Sequence, residues 1–279
     1  MVLVAIGCLA SSQAATVGHW AFENNLDLGA DSGPNNLGLT NSNVGGIAAL
    51  FPSSVPFSGS PNTGAGDFEV DTPGFLSGAD NAVFAVQNFT IEAYVKLESG
   101  GSGTTVRAIA SQFNSGAAAA QSWQLGVAGA GSSLGNRRLF MQLSGNGVDL
   151  VNFAPTTGFT LTAGSNYYVA ASVRFTGTTI ETTFYLQDLT AGGNLLSTTV
   201  SSTAASLLGG LYDSNANFAI GASYNNGAAS RHFDGTIDEV RLSNTALSPG
   251  ELLAIPEPSA ISLLGMGGLA VAFRRRRGK

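Results

Sequence analysis

The stretch Phe233-Asp-Gly-Thr-Ile-Asp-Glu-Val-Arg-Leu-Ser-Asn-Thr-Ala-Leu-Ser-Pro-Gly-Glu-Leu252 begins with a tight Asp-Gly turn and continues as a β-strand. Alternation along the strand separates its side chains into two faces, with Asp238, Val240 and Leu242 on one and Ile237, Glu239, Arg241 and Ser243 on the other. Asp238 therefore heads an apolar face, and it needs a partner because a buried carboxylate is costly unless it is paired or bound to a metal. On the opposite face we interpret Glu239 and Arg241 as an exposed charge pair.

The residues that follow this strand carry a helix-start signal. The strand is expected to stop at Asn244, and Ser248-Pro249-Gly250-Glu251 has the form of a capping box. Ser248 is the predicted N-cap, Pro249 loses no hydrogen bond at the first helical position, and Glu251 reaches back to the cap. A strand closed by one short capped turn suits the last strand of a sandwich.

The closing stretch resembles the final motif of laminin-G-like, concanavalin A-like jelly-roll domains. Three further stretches occur in the order in which that family has them: "GHWAFENN" from residue 18, "DSGPNNLG" from residue 31 and "FTIEAYVKL" from residue 89. Together they frame nearly all of residues 17–254. The resemblance implies an all-β, two-sheet antiparallel jelly-roll sandwich, which we place at residues 15–254.

Apolar alternation supports the same fold class independently. Residues 89–97 form a predicted half-buried strand whose polar face carries Thr90, Glu92, Tyr94 and Lys96. Further strands are predicted at residues 123–127, 139–143, 167–175, 180–186 and 218–220. Residues 41–73, with clusters of Gly, Ser and Pro, predict long loops over one end of the sandwich. No segment of this body has a convincing helical period, and many strands with short turns indicate a sandwich.

Composition limits the possible functions. The 279 residues include 37 Gly, only 11% are charged, and the net charge is −6. Five of the 12 basic residues lie in the last six positions, so the body is strongly acidic and a nucleic-acid groove is not expected. The single cysteine, Cys8, lies in an amino-terminal apolar run, which leaves the folded body without a disulfide or a cysteine metal site.

Both ends of the chain carry targeting signals. Residues 1–14 are small and apolar, and Ser12 and Ala14 offer the residues of a signal-peptidase site. We predict a secretion signal, shortened at its amino end because the basic region is missing. The alternatives are a buried first strand and, less favoured because a leading Leu is absent, a lipoprotein signal at Cys8.

At the carboxyl end, residues 255–279 contain Pro256-Glu257-Pro258, an uncharged apolar run and four consecutive arginines. This order resembles the PEP-CTERM sorting tag of Gram-negative bacteria. The resemblance implies an exosortase-type processing enzyme that cuts near Pro256, Glu257 and Pro258. The apolar run, as a helix of about 22 Å, is shorter than a bilayer core, but snorkelling arginines allow it to serve as a transient membrane anchor with a cytoplasmic basic end. The alternative is a buried carboxyl-terminal helix.

The sequence contains no convincing catalytic motif. Glucanases of the jelly-roll fold carry Glu-x-Asp-x-x-Glu on one strand, and the nearest approach here, Glu69-Val-Asp71-Thr-Pro-Gly74, lacks the second Glu and contains a proline. Of the two histidines, His19 lies in the first strand and His232 in a loop, and neither accompanies a nucleophile elbow. We therefore predict a protein that is not an enzyme and assign no catalytic residue.

A structural calcium ion is implied by the resemblance. In the concanavalin-type fold the aspartate of the closing motif, here Asp238, is a calcium ligand, and Asp31 matches the family's aspartate in the loop after the first strand. Carboxylate and carbonyl oxygens are the ligands that Ca²⁺ selects. The alternatives are that backbone N–H groups or an arginine satisfy Asp238, and that Asp31 makes only an Asx turn.

Aromatic side chains in loops are the candidates for stacking on sugar rings. Tyr212 and Tyr224 lie in loops rich in Asn, Ser and Gly and are the predicted ligand-binding residues, with loop anchoring as the alternative. Trp20 and Trp123 lie in alternating strands and are expected in the core. We thus expect an exported protein of the cell envelope or extracellular matrix that binds glycans or contributes to adhesion and exopolysaccharide assembly. The alternatives are a diverged glycoside hydrolase or lyase and a purely structural matrix protein.

Overall fold

The computed structural model describes residues 16–49, 51–98, 105–116 and 120–256. The predicted signal peptide, Glu257, Pro258 and the predicted apolar carboxyl-terminal helix lie outside these residues. Among the residues that are described, no helix is both long enough and apolar enough to span a bilayer.

Two β-sheets built from short strands make up this part of the chain. The strands in chain order are β1 (Thr16–Trp20), β2 (Thr40–Ser42), β3 (Gly45–Ala48), β4 (Gly64–Phe68), β5 (Phe75–Gly78), β6 (Phe89–Leu97), β7 (Arg107–Ser115), β8 (Gln121–Val127), β9 (Leu139–Leu143), β10 (Val151–Phe153), β11 (Asn166–Phe175), β12 (Ile180–Asp188), β13 (Leu196–Ser202), β14 (Phe218–Ile220), β15 (Ser223–Asn225), β16 (Ala228–Ser230) and β17 (Gly235–Ser243). Single turns of 3₁₀ helix occur at Ala82–Phe84, Ala205–Leu207 and Pro249–Glu251. The predicted capping box is present, since the Ser248 N–H donates to Glu251 Oε2 over 2.8 Å.

The first sheet has the order β13-β12-β11-β6-β17-β4-β3, with β1 paired to the second half of β17. The second sheet has the order β10-β9-β8-β7-β14-β5-β2, and the hairpin β15–β16 attaches to it at the end of β7. Strand pairs within both sheets are antiparallel apart from the short β15–β7 contact. The predicted all-β sandwich is confirmed.

The core between the two sheets follows from alternation. Side chains at every second position of β6, β8, β9 and β11 point into it, and both Trp20 and Trp123 are fully buried there. Trp20 stacks on Phe218 with 4.8 Å between ring centroids, and Phe218 in turn stacks on Phe84. The expected core position of the two tryptophans is confirmed.

The outer face of the first sheet differs from the prediction. Thr90, Glu92 and Tyr94, expected on a solvated polar face, are fully buried because a second apolar cluster covers them. This cluster includes Val55, Tyr168, Tyr185, Leu247, Leu252 and Leu253. The residues after the closing strand therefore fold back over the sheet.

The face assignment of the closing strand also needs correction. The pairing register of β17 with β6 shifts between Asp238 and Arg241, and Glu239 adopts a positive φ of 50°. This β-bulge inserts one residue, so that Ile237, Val240 and Leu242 all enter the core between the sheets. Asp238 consequently lies on the opposite face from Val240 rather than sharing a face with it.

Residues 41–73 were expected to form long loops over one end of the sandwich, and that prediction is partly wrong. The segment contains β3 and β4, and β4 is an interior strand that pairs with both β3 and β17. Gly64-Ala65-Gly66 gave no apolar alternation because its glycines are needed for close packing. A Cβ on Gly66 would lie 2.7 Å from the Phe68 ring.

Candidate functional site

Asp238 lies on the outer face of the first sheet in a pocket of buried oxygens. The Asn62 Nδ2 amide donates to Asp238 Oδ2 over 3.0 Å, and both residues are buried. Asp238 Oδ1, Asn62 Oδ1 and the Tyr94 hydroxyl are buried, and none of them has a hydrogen-bond partner among the described residues. Tyr94 faces Asp238 across the β6–β17 pair. Three oxygens thus remain unsatisfied in one neighbourhood.

The electrostatics of this pocket disfavour a bare carboxylate. Burial raises the pKa of Asp238 to about 8, and the nearby Glu239 carboxylate adds to the increase, while the Asn62 hydrogen bond acts in the opposite direction. A Ca²⁺ ion would supply the missing positive charge and would accept the orphaned Asp238 and Asn62 oxygens as ligands. The residues present therefore fit the calcium ion that the sequence predicted for Asp238, which stays a prediction.

Asp31 lies in the loop after β1, where its carboxylate binds backbone. It accepts hydrogen bonds from the N–H groups of His19 at 2.8 Å, Gly33 at 2.7 Å and Leu37 at 2.7 Å. These three bonds fix the loop that follows β1 to the strand itself. The Asx turn weighed as an alternative is present at Gly33, and a calcium role for Asp31 stays a prediction.

Glu239 and Arg241 do not form the predicted surface pair. Both are buried, and the bulge sends them to different partners. Glu239 Oε2 lies 2.5 Å from Nε2 of His19. Arg241 Nε donates to Glu92 Oε1 over 2.6 Å, and its guanidinium lies 5.0 Å from the centre of the Phe57 ring.

A second polar site occupies the outer face of the second sheet. Gln124 of β8, Gln142 of β9 and Asn152 of β10 lie side by side on this face, because their neighbours in each strand enter the core. Gln142 Nε2 donates to Asn152 Oδ1 over 2.8 Å, and Gln124 Nε2 lies 3.5 Å from Gln142 Oε1. We call Gln124, Gln142 and Asn152 the amide ladder.

Arg231 caps the amide ladder. It follows the hairpin β15–β16, adopts a positive φ of 55°, and places its guanidinium 4.9 Å from the centre of the Phe113 ring. Its Nη1 donates to Gln124 Oε1 at 3.1 Å and to Gln142 Oε1 at 3.4 Å. Burial lowers the pKa of Arg231. Neither of the two ion pairs found among the described residues includes it, so this half-buried cation has no anionic partner there.

The two predicted sugar-contact tyrosines have different surroundings. Tyr224 lies on the hairpin that carries Arg231, half-buried, with its ring edge-on to Phe75 at 6.3 Å. Tyr212 is held through its backbone N–H, which donates to the Ser144 carbonyl over 2.9 Å. Both roles stay predictions, and Tyr224 is the one that the fold brings to the Arg231 hairpin.

An open groove of about 580 Å³ lies near the start of β1. Its walls include Val83 and the amides of Asn35, Gln87 and Asn88. These amides are already bonded to backbone atoms of Val17, Leu211 and Phe175, and no charged side chain lines the groove. The groove is therefore less equipped to select a polar ligand than the Arg231 face.

Comparison with known families identifies the chain's relatives. Residues 75–253, more than half of the chain, match the family model described as the concanavalin A-like lectin/glucanases superfamily. The chain belongs to this superfamily. Residues 254–277 match the PEP-CTERM protein-sorting motif, so this superfamily member carries a sorting signal directly after its folded domain. No curated protein sequence matches the chain.

Several solved structures are similar to the chain at low sequence identity. The binding domain of botulinum neurotoxin serotype D matches with a TM-score of 0.50 and 11% identity, over 85% of this chain and 50% of that one. The carbohydrate-binding module CBM40 of the Ruminococcus gnavus IT-sialidase matches with a TM-score of 0.45 and 16% identity, over 78% of this chain and 98% of the module. A pentraxin from Limulus polyphemus matches at 12% identity, with a TM-score of 0.37, over 61% of this chain and 69% of that one.

Sequence reasoning found Asp238 and missed its neighbour Asn62 as well as Arg231. Asn62 lies 176 residues away from Asp238 in a segment interpreted as loop, so no local pattern connected them. Arg231 stands in a Gly-, Ala- and Ser-rich stretch in which the body's scarcity of basic residues was the one available signal. Of the predicted processing residues, Pro256 is described and exposed, whereas Glu257 and Pro258 lie outside the described residues.

Proposed function

We propose that the chain is an exported, non-catalytic protein of the cell envelope that binds an acidic glycan on the outer face of its second sheet. The observation that carries the proposal is the half-buried Arg231, which has amide neighbours and no carboxylate partner in the part of the chain that the structure describes. A guanidinium without a counterion favours an anionic ligand, and its planar fork matches a carboxylate. Asn152, the exposed member of the amide ladder, offers a donor and an acceptor for sugar hydroxyls, while the buried Gln124 and Gln142 position the Arg231 guanidinium.

The composition of this face favours binding over hydrolysis. Glycoside hydrolysis by the usual routes requires two carboxylic acids on either side of the scissile bond. The described side chains on the outer face of β7 to β10 are amides, hydroxyls and aromatics, and none of them is Asp or Glu. A diverged hydrolase or lyase at this face would lack its acid and its base.

The fold and the sorting signal support the same proposal at a coarser level. Structures that share the fold include a module described as carbohydrate-binding and a toxin binding domain described in complex with a sialylated ligand. The PEP-CTERM motif implies processing by an exosortase-type enzyme and delivery to the envelope, where polysaccharides are abundant. We propose that the residues after the motif anchor the chain in the membrane until it is processed.

Calcium is proposed as a structural ion at Asp238. Asp238 and Asn62 would hold it through their buried oxygens. The positive charge of the ion would stabilise the ionised form of the Asp238 carboxyl group, which burial otherwise keeps protonated. Its role would be to stabilise the closing strand, which lies on the other sheet from Arg231. The calcium proposal and the glycan proposal can therefore fail separately.

Binding to a uronic acid polymer such as alginate, and to the same polymer after carboxyl reduction, tests the glycan proposal. We expect the chain to bind the native polymer and Arg231→Gln to weaken binding roughly tenfold to a hundredfold, as expected for loss of charge-assisted hydrogen bonds. Arg174→Gln makes the same charge change at an exposed residue of β11 and serves as the matched control.

Four results would overturn the proposal. Equal binding of the native and the reduced polymer would remove the role of the carboxylate. Equal affinities of Arg231→Gln and Arg174→Gln for the polymer would show that Arg231 is not part of the binding site. Binding to no member of a glycan array would favour a purely structural matrix protein, and release of reducing sugars would favour the enzyme.

A further inference from the structure

Three carboxylates meet at one end of the first sheet, well away from the residues used so far. Glu69 follows β4, Glu98 follows β6 and Asp234 precedes β17. Gly235 pairs with Phe68 on one side and Leu97 on the other, so the three acids come from three adjacent strands. One carboxylate oxygen from each of the three acids lies within 4.8 Å of the other two.

Asp234 is the unusual member of this group. It is 4% exposed, yet no hydrogen bond or ion pair of its carboxylate is found within the described residues. Buried carboxylates are normally satisfied by donors or by a cation, and here oxygens of two further carboxylates lie within 4.8 Å. An unpartnered, buried acid aimed at two other acids is an arrangement that a bound cation would complete.

The fold fixes Asp234 in this position. Its carbonyl oxygen accepts the Glu98 N–H over 2.9 Å, and Gly235 has a positive φ of 135°. A Cβ on Gly235 would lie 2.0 Å from the Lys96 carbonyl oxygen, so only glycine permits this close approach. The backbone of Asp234 is therefore held beside that of Glu98.

We propose that Glu69, Glu98 and Asp234 form a binding site for a divalent cation of the Ca²⁺ class. Three carboxylates supply hard oxygen ligands, and oxygens that each lie 2.3–2.6 Å from a Ca²⁺ ion can be separated by up to about 5 Å, which covers the observed span. The ion joins the ends of β4, β6 and β17. Four residues of strand, about 13 Å, separate Asp234 from Asp238, so this site is distinct from the one proposed there.

The surrounding charge agrees with a cation. The carboxylates of Asp67 and Asp71 also act electrostatically on Glu69. The local excess of negative charge thus extends beyond the three proposed ligands. A bound cation removes this repulsion and leaves all three ligands ionised.

Calcium counting in the full chain tests the proposal. In an Asp238→Asn background, which removes the other proposed site, we expect equilibrium dialysis with ⁴⁵Ca²⁺ to detect one bound ion. Adding Asp234→Asn should abolish it, and adding Asp71→Asn, which neutralises a neighbouring acid outside the site, should leave it in place. Asp234→Asn should also raise the melting temperature in chelator, because it relieves repulsion, and should remove the further increase that calcium produces.

Two outcomes would overturn the site. The first is that the Asp238→Asn chain binds no calcium at millimolar concentration. The second is that, in the Asp238→Asn background, adding Asp234→Asn leaves as many bound calcium ions as adding Asp71→Asn. If Asp234→Asn reduces folding, Glu98→Gln serves as the second variant, with the same loss of one ion expected.

Discussion

Arg241 and Glu92, 149 residues apart in the chain, form a buried ion pair on the outer face of the first sheet, with Arg241 Nε 2.6 Å from Glu92 Oε1. The second Glu92 oxygen accepts hydrogen bonds from the Tyr168 hydroxyl and, over 2.9 Å, from the Leu253 N–H. Arg241 Nη2 donates to the Glu251 carbonyl over 2.6 Å. The pair thereby fastens the segment after the closing strand onto the sheet.

Removing one member of this pair is expected to be strongly destabilising. Glu92→Gln leaves a buried guanidinium without its anion and should lower the free energy of unfolding by about 3–5 kcal/mol, measured by urea denaturation. Glu181→Gln, at a partly exposed acid of β12, should change it by less than about 0.5 kcal/mol. A double variant, Glu92→Leu with Arg241→Met, should lose less than the sum of the two single variants, because no charge is left unpaired. A loss below about 1 kcal/mol for Glu92→Gln would contradict this role.

The same ion pair shows why part of the fold was predictable and part was not. Period-two patterns indicated the strands around Ile91, Leu125 and Val169, and the capping box indicated the turn after the closing strand. A polar alternate face, however, has the same sequence pattern whether it meets water or a covering segment. Glu92 was therefore placed in solvent, and the apolar cluster that buries it comes from distant residues such as Leu252.

The site residues illustrate a second limit. A bulge at Glu239 leaves no recognisable mark in the sequence, because glutamate rarely adopts positive φ, and that one extra residue put Ile237 in the core and Asp238 on the outer face, the reverse of the predicted alternation. Asp238 could be singled out as a buried carboxylate in need of a partner. Its partner Asn62 could not, because their contact depends on how β4 is placed beside β17.

Asp238 should make the stability of the calcium-free protein depend on pH. Its folded pKa of about 8 exceeds the unfolded value of 3.8, so the folded state retains a proton that the unfolded state loses. The stabilising contribution is full below pH 4 and is lost as pH rises towards 8, for a total of a few kcal/mol. We expect the free energy of unfolding, measured in chelator, to be lower at pH 8 than at pH 5. Asp238→Asn should reduce this difference, because it removes the contribution of Asp238.

Calcium should reverse that trend if it binds at Asp238. The ion binds the ionised carboxylate, so its stabilisation grows with pH, and at 100 times Kd it adds about 2.7 kcal/mol. Chelation at pH 8 should lower the melting temperature of the wild type. To separate this site from the acidic cluster at Asp234, the measurement is repeated in an Asp234→Asn background. An identical melting curve with and without chelator in that background would rule out calcium at Asp238.

Asp31 is expected to stabilise the loop after β1 whether or not calcium is present. Asp31→Ala leaves the N–H groups of His19, Gly33 and Leu37 without their acceptor and should cost at least about 2 kcal/mol in chelator. The exposed Asp27→Ala serves as the control and should be nearly neutral. If Asp31→Ala lowers stability in chelator and lowers it further when calcium is present, Asp31 also binds the metal. If the variant lowers stability only when calcium is present, the backbone role is contradicted.

The carboxyl-terminal sorting motif should be removed at a position that the folded domain leaves free. Leu253 is held by Glu92 and by the Phe57 N–H, which donates to its carbonyl over 3.0 Å, and three residues later Pro256 is exposed. Because a proline nitrogen cannot donate to a sheet, Pro256 cannot pair with the domain through its nitrogen, and we expect a protease to reach the chain there. Mass spectrometry of the mature protein from its host should therefore find a carboxyl terminus near Ile255 and no peptide from residues 263–273.

Glu257 is the charge that the processing enzyme is expected to recognise, since no other ionisable side chain lies between Glu251 and Arg274. Glu257→Ala should leave the intact chain in the membrane fraction, whereas Glu251→Gln, at the nearest acid on the folded side, should be processed normally. If cleavage depended only on an unfolded stretch, both variants would be cut equally. Intact chains ending at Lys279 as the dominant wild-type species would instead make the apolar run a permanent anchor, held by arginines that remain on the cytoplasmic side.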